Sequence, residues 1–331
     1  MTESRKLYYV GRYDVVTGWG VCHNNLTNEL AKVCDLKFVD EDTIQDGDYF
    51  DGPVMVPVYN GCTFNPIKSV RGRKVMAYGF WEWPISNVNS HLAKFDWVFA
   101  GSDWCTAKVR AFTPNTSTLI QGVDTELFHV MGPHDRPGFR VFSGGKYEFR
   151  KGQDIVLAAM RDFMRMHLDV VLITAWHNFW PDDSMNASTL IDASNPYQFI
   201  PKNRLVNMPM VPNERMKEIY GQTDVGLFPN RAEGGTNCVM MEYMACGKPV
   251  IATDATGHAD VLRGPGPIKL IRGRFDSSKW FYASIDSVIE SLEFAYQHRA
   301  EMPAYGLLCR ELISKWKWSD MAKEVCRVAF S

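Results

Sequence analysis

No apolar run in this chain approaches the roughly 20 residues that a membrane-spanning helix needs, and its start, MTESRKLYYV, lacks the long apolar segment of a secretory leader. A cytoplasmic location is therefore expected. Charge of one sign is lacking too: 36 Lys and Arg stand against 38 Asp and Glu, a formal net charge of -2. Such a balance supplies no global attraction for nucleic acid or an anionic membrane, so any polyanion site has to be local. The eight cysteines (Cys22, Cys34, Cys62, Cys105, Cys238, Cys246, Cys309, Cys326) include no CxxC pair and no adjoining cluster of His. That spacing disfavours a zinc site and points to reduced thiols. Internal repeats and low-complexity tracts are absent as well.

What is present is an ordinary globular composition, 46% apolar and 22% charged, on 331 residues, a length that suits two domains of about 150 residues each. Short β-rich runs alternate with amphipathic helical stretches, which calls for α/β architecture with parallel sheets covered by helices. LYYVGRYD (7–14) reads as a buried strand, Gly18-Trp19-Gly20 as a loop, and Cys22, Leu26, Leu30 and Val33 as one helical stripe. KVMAYGFWEW (74–83) and WVFAGSD (97–103) read as later strands of the same sheet. HVMGPHDRPG (129–138) reads as a linker. Beyond it come strands at 140–145, 169–174, 224–229 and 248–253 and a helix at 213–220, with 182–202 a surface insertion. The resulting division is 1–135, 139–305 and a helical segment 306–331.

The most informative stretch is EGGTNCVMMEYMACGKPVIATDATGHAD (233–260). Its helix should start at Thr236 or Asn237, either of which can cap, and end at Gly247. Gly234 and Gly235 clear space before a helix amino end whose free N–H groups favour a phosphate. Further along that helix, the Glu242 carboxylate could accept from the two hydroxyls of a ribose, while Glu233 stands in the loop before it. His258 reads equally as a cap, a surface histidine or a ligand neighbour, and the Met run at 240, 241 and 244 as helix packing. Asp46-Gly47-Asp48 and Asp182-Asp183 read as solvated turns, so no metal is expected. The basic cluster Lys68, Arg71, Arg73 and Lys74 reads as a solvated face or as a steering patch for an acidic acceptor.

Upstream, FSGGKYEFRKG (142–152) supplies Gly145, Lys146, Arg150, Lys151 and Gly152, followed by RLVNMP (204–209) with Asn207 and Met208, and then by MKEIYGQTDVGLFPNRAEGGTN. In order and spacing these motifs resemble the donor site of the retaining GT-B glycosyltransferases of family 4, the glycosyl transferases group 1. The resemblance covers most of the second half. It implies two Rossmann-like domains facing across a cleft, with the C-terminal helix returning to the first. It also implies that Lys146 and Lys151, helped by Arg150, clamp a donor diphosphate, with Gly145 beside them and the amino end Gly234, Gly235, Thr236 and Asn237 against it. Asn207 and Met208 then meet the base, and Glu242 the ribose.

In the first half, Gly18, Trp19 and Gly20 look like the family's glycine loop beside the transferred sugar. FWEWP (80–84) falls where the family places a sugar-facing side chain, a task for Trp81 or Glu82 here. Asp124 and Phe128 match residues at the domain boundary and read as structural. The chain departs from the family in having Lys146 where Arg is common, a point charge in place of a fork. It also has one residue more between Glu233 and Glu242, so that either Glu233 or Gly234 takes the first-glutamate position.

The implied activity is transfer of a sugar from a nucleotide-diphosphate sugar to an acceptor, a saccharide or another hydroxyl compound, with retention, without metal and without a cofactor beyond the donor itself. The competing expectations are a glycosyltransferase of modified DNA bases, which the near-neutral charge disfavours, a nucleotide-sugar epimerase or hydrolase, and a non-catalytic nucleotide-sugar binding protein.

Overall fold

The computed structural model describes residues 5–14, 16–59, 69–85, 87–177 and 198–331. Cys62, Lys68, Asp182, Asp183 and most of the 182–202 insertion lie outside them. The chain forms two compact units, Met1–Gly122 with Gly234–Thr236 and Trp316–Ser331, and Val123–Glu233 with Asn237–Lys315.

The first unit opens with β1 (Lys6–Gly11), α1 (Gly18–Leu30), β2 (Asp35–Asp40), β3 (Val54–Val58) and β4 (Val75–Gly79), and continues with β5 (Trp97–Ala100), α2 (Asp103–Val109) and β6 (Thr116–Thr118). Its six strands are all parallel in the order β2-β1-β3-β4-β5-β6. Alternate residues serve opposite faces. Leu7, Tyr9, Met55, Met76, Tyr78 and Phe99 pack on one face with Leu26 and Leu30 of α1. Val10, Val54, Val56, Ala77, Val98 and Ala100 pack on the other with Cys105 and Val109 of α2. Burial on both faces is why the central strands β3, β4 and β5 are short and almost wholly apolar.

Gly18-Trp19-Gly20, expected as a loop, is instead the first turn of α1. The Asp14 carboxylate accepts the Val16 and Thr17 N–H groups at 2.9 and 2.6 Å, and the Thr17 hydroxyl accepts the Gly20 N–H at 3.0 Å. This cap starts the helix in spite of two glycines. Val33 falls beyond its end and is exposed. The strand at 74–83 stops at Gly79.

The second unit runs β7 (Phe139–Lys146), α3 (Gln153–Met166), β8 (Val170–His177), β9 (Leu205–Asn207), α4 (Met216–Tyr220), β10 (Val225–Phe228) and α5 (Cys238–Ala245). It continues with β11 (Val250–Thr253), α6 (His258–Val261), β12 (Ile268–Leu270), the antiparallel pair β13 (Gly273–Phe275) and β14 (Phe281–Ala283), α7 (Ile285–Gln297) and α8 (Met302–Ile313). Its sheet is again parallel, in the order β12-β11-β10-β7-β8-β9. Strand order therefore reverses between β7 and β10. The loops leaving their carboxyl ends diverge to opposite faces, which is where open α/β sheets bind ligands. On one face Val156, Met160 and Phe163 of α3 join Val288 and Leu292 of α7. Toward the other, Phe142 stacks on Tyr243 of α5 at 5.2 Å, and the methionines Met240, Met241 and Met244 are buried.

The last helix, α9 (Trp318–Ala329), belongs to the first unit, where Trp318, Met321, Val325 and Val328 pack beside Leu26 and Leu30 of α1. Lys74 of the basic cluster donates to the carbonyls of Val328 and Ser331, and Arg71 to that of Gly47, so neither is a free steering charge. If α9 supplies core, Met321→Ala is expected to cost about 2–5 kcal/mol in urea unfolding, and Met321→Leu under about 1.5 kcal/mol. An Ala variant as stable as the parent would separate α9 from the core.

Candidate functional site

The loops after β7 and β10 meet at the point of strand-order reversal. Gly145, at φ +126, lets β7 finish without a side chain, and Gly152, at φ +74, ends the turn that precedes α3. A Cβ on Gly152 would lie 2.5 Å from the Pro229 carbonyl oxygen, so only glycine admits so close an approach. The Arg231 N–H then donates to the Arg150 carbonyl at 2.7 Å. Beneath, Arg231 is fully buried and grips Asp154 with both terminal nitrogens, at 2.8 and 2.6 Å, with its guanidinium 3.9 Å from the Phe149 ring centre. Two loops from separate strands are thereby fixed as one body.

On that body stands a cluster of charges. Glu233, almost wholly buried, receives Lys151 Nζ at 2.7 Å and Arg150 Nη1 at 2.9 Å, and Asn230 donates to the oxygen that Lys151 also holds. Burial opposes its ionisation, but the Lys151 and Arg150 charges overcome that and hold the carboxyl down at about 2. Arg150 reaches Glu148 as well, at 2.6 Å. Glu148 is held below the usual carboxylate range against its burial by the charges of Arg150, Lys151 and Lys146. Three cations thus stand against two carboxylates. Lys146, Arg150 and Lys151, expected as a diphosphate clamp, are brought to one cluster with Glu148 and Glu233.

The segment that leaves Glu233 re-enters the unit at Asn237, which holds left-handed backbone (φ 64) and caps α5 through an acceptor to the Met240 N–H. His258, buried and lowered to about 4 by that burial, faces the Asn237 amide at 3.2 Å, which removes the surface reading of this histidine. Glu242 lies further along α5. Asn213 and Tyr220 donate to its two oxygens at 2.7 and 2.8 Å, and burial pushes its carboxyl up to about 7. The Asn207 amide oxygen accepts from Thr174 at 3.0 Å, and the Met208 N–H donates to the Thr174 carbonyl, which sets both residues at the carboxyl edge of β8 and β9.

The remaining expected residues belong to the first unit. Trp81 is fully buried among the core side chains of β3, β4 and β5, so it is not the sugar-facing residue that FWEWP suggested. Glu82, beside it, is buried too. Trp19 lies edge-on to Tyr59 at 4.9 Å and beside Phe80 at 4.6 Å, while Gly20 leaves room for the Asp14 carboxylate. Gly234, Gly235 and Thr236 are grouped with this unit, where the Ser102 hydroxyl donates to the Gly234 carbonyl at 2.8 Å.

Asp154, Arg231, Glu148, Asn230 and Thr256 were not expected at the site. One signal for them exists in the chain: an arginine directly after the apolar strand DVGLFPN has to find a buried anion, and Asp154 follows the Lys151-Gly152 pair by two residues.

Residues 139–278 match the family model for Glycosyl transferases group 1. Spore coat protein SA of Bacillus subtilis strain 168 is 22% identical over 237 residues, 67% of this chain and 60% of that protein, so the match spans less than two thirds of that relative's length. Among solved structures, sucrose-phosphate synthase from Thermosynechococcus elongatus superposes with a TM-score of 0.73 at 14% identity over 98% of each chain. Anabaena Alr3699/HepE in complex with UDP and glucose does so with a TM-score of 0.71 at 12% identity over 99% of this chain and 100% of that one. The chain has the GT-B fold of these proteins. Among its described residues no helix is long and apolar enough to cross a membrane.

The two glutamates carry opposite pH dependence. Glu233, held low, contributes stability that is full above its unfolded value and is lost as pH falls from 4.5 through about 2. Glu242, held high, contributes stability that is full below 4.5 and is lost as pH rises through about 7. Glu242→Gln, a neutral mimic of the protonated acid, is therefore expected to melt above the parent at pH ~8 and to lose that advantage at pH ~5, a swing of about 3 kcal/mol. Thermal melts that run parallel across this range would show that the Glu242 carboxyl is not raised.

Proposed function

We propose that this chain, whose residues 139–278 form a Glycosyl transferases group 1 domain, moves a sugar from a nucleoside-diphosphate donor to a hydroxyl acceptor, with retention of configuration and without a metal ion. The observation that carries it is the convergence of Lys146, Arg150 and Lys151 beside a buried glutamate at the carboxyl ends of β7 and β10. A diphosphate is the ligand whose charge such a cluster answers, and a UDP complex of Alr3699/HepE shares the fold. UDP is accordingly the first donor nucleotide to try, and a saccharide the first acceptor.

In this mechanism Lys151, Lys146 and Arg150, with the amide groups before α5, stabilise the charge that grows on the diphosphate as the glycosidic bond breaks. Lys151 and Arg150 turn from Glu233 to the phosphates, and Glu233 takes hydroxyl donors from the transferred sugar in their place. Glu242, with Asn213, takes the ribose, and Asn207 and Met208 line the base. The acceptor oxygen attacks on the face that the diphosphate leaves, and the diphosphate takes its proton, so the anomeric configuration is kept. In the first unit, Trp19 with Gly18 and Gly20 is the candidate beside the transferred sugar, and Glu82 the candidate side chain facing that sugar. A cytoplasmic site of action fits a nucleotide-sugar donor.

Lys151→Ala is expected to lower UDP release from UDP-glucose by about a hundredfold, while Glu242→Gln weakens UDP binding in calorimetry by about 1–2 kcal/mol. Excess EDTA is expected to leave the rate unchanged and NMR of the product to show the donor's configuration. A parent chain that neither binds UDP nor releases it would overturn this function, and a rate lost to EDTA and restored by a divalent ion would overturn the metal-free mechanism.

A further inference from the structure

Among the described residues, three that are not glycine hold left-handed backbone: Asn237 (φ 64), Thr256 (φ 52) and Lys279 (φ 65). Lys279 lies in an exposed turn. The other two face one segment, Glu233–Asn237, from its two ends. Asparagine visits this region readily, whereas a β-branched residue does so only under strain, so Thr256 is the outlier that calls for a cause. Its surroundings supply one. The Thr256 hydroxyl accepts the Glu233 N–H at 3.1 Å, and the next residue, Gly257, donates its N–H to the Glu233 carbonyl at 3.0 Å. Both backbone groups of Glu233 are thus satisfied by this one turn. At the far end, His258 receives the Asn237 amide, because the Asn237 oxygen is committed to Met240.

We infer that Thr256 is a positioning residue for Glu233. Its hydroxyl fixes the peptide from which the Glu233 side chain departs, and so holds that carboxylate against Lys151 and Arg150 in readiness for the donor sugar. Glycine at 256 would relieve the strain but leave the buried Glu233 N–H without its acceptor, so threonine here exchanges backbone strain for a fixed Glu233 peptide. The inference rests on the function proposed above, since it gives Glu233 a task worth the strain.

Thr256→Gly separates the two roles. It is expected to melt close to the parent's temperature, the relief of strain offsetting the stranded Glu233 N–H, and to bind UDP within about threefold, yet to release UDP from UDP-glucose about tenfold more slowly through kcat. Thr256→Ser, which keeps the hydroxyl, is expected to restore kcat to within about threefold. Hydrogen exchange at the Glu233 amide reads the contact with no donor present and is expected to quicken about tenfold in Thr256→Gly alone. An exchange rate that matches the parent's overturns the inference, and so does a glycine variant with the parent's kcat. A parent chain that releases no UDP overturns the proposed function instead, and the exchange measurement still decides the contact.

Discussion

A carboxylate shut away from water has to be answered by cations, and the Glu233 charge imposes that requirement on the whole switch point. Its partners Lys151 and Arg150 come from the loop after β7, while Glu233 itself comes from the loop after β10. Pairing them fixes the spacing of two loops that the sheet topology alone would leave to diverge. The Arg231–Asp154 pair repeats the tie one layer deeper. Neither pair is a large net source of stability, since each cancels a desolvation cost of its own making. What they provide is a single arrangement: a loop conformation that withdraws Glu233 or Asp154 takes away the carboxylate that Lys151 or Arg231 grips from the other loop, so alternative loop conformations are expensive.

The same pairing bears on which anion suits the cluster. A bare phosphate that draws Lys151 and Arg150 away strands the Glu233 carboxylate without hydrogen-bond donors. A diphosphate that carries a sugar brings hydroxyl donors with it and can satisfy that carboxylate. On the proposed function, Glu233 therefore discriminates between a nucleoside diphosphate sugar and simpler anions by what happens to it after the cations leave, which is a cost imposed on the wrong ligand.

Much of this was legible in the chain. Strands buried on both faces read as short apolar runs, and loops at their carboxyl ends carry the polar residues, so the α/β rhythm and the Lys146–Gly152 segment stand out. The α5 helix is equally plain, because asparagine is a favoured cap residue and a left-handed glycine follows its end, though the backbone at Asn237 is left-handed where a cap is ordinarily extended. Where the reading failed, a neighbouring cap or a longer contact had decided the outcome. Two glycines at 18 and 20 suggest a loop until the Asp14 and Thr17 side chains cap the turn. The aromatic run FWEWP does not say which ring enters the core, and Trp81 does. Arg231 and Asp154 are 77 residues apart, a separation at which no periodicity speaks.

Spacing is least able to distinguish Glu233 from Glu242. Both are buried glutamates of one segment, yet one is held ionised and the other pushed toward its neutral form. The difference lies wholly in what surrounds them. Glu233 meets two cations that overcome its desolvation, whereas Glu242 meets only a tyrosine hydroxyl and an asparagine amide, dipoles that do not. The extra residue between them therefore need not be read as a shift of register that puts Gly234 in the charged position. A glycine there could not answer Lys151 and Arg150, and the β7 loop would then set three cations against Glu148 alone. The cations decide which residue of the loop must turn inward, and the added residue is absorbed in the Gly234–Thr236 stretch before the Asn237 cap.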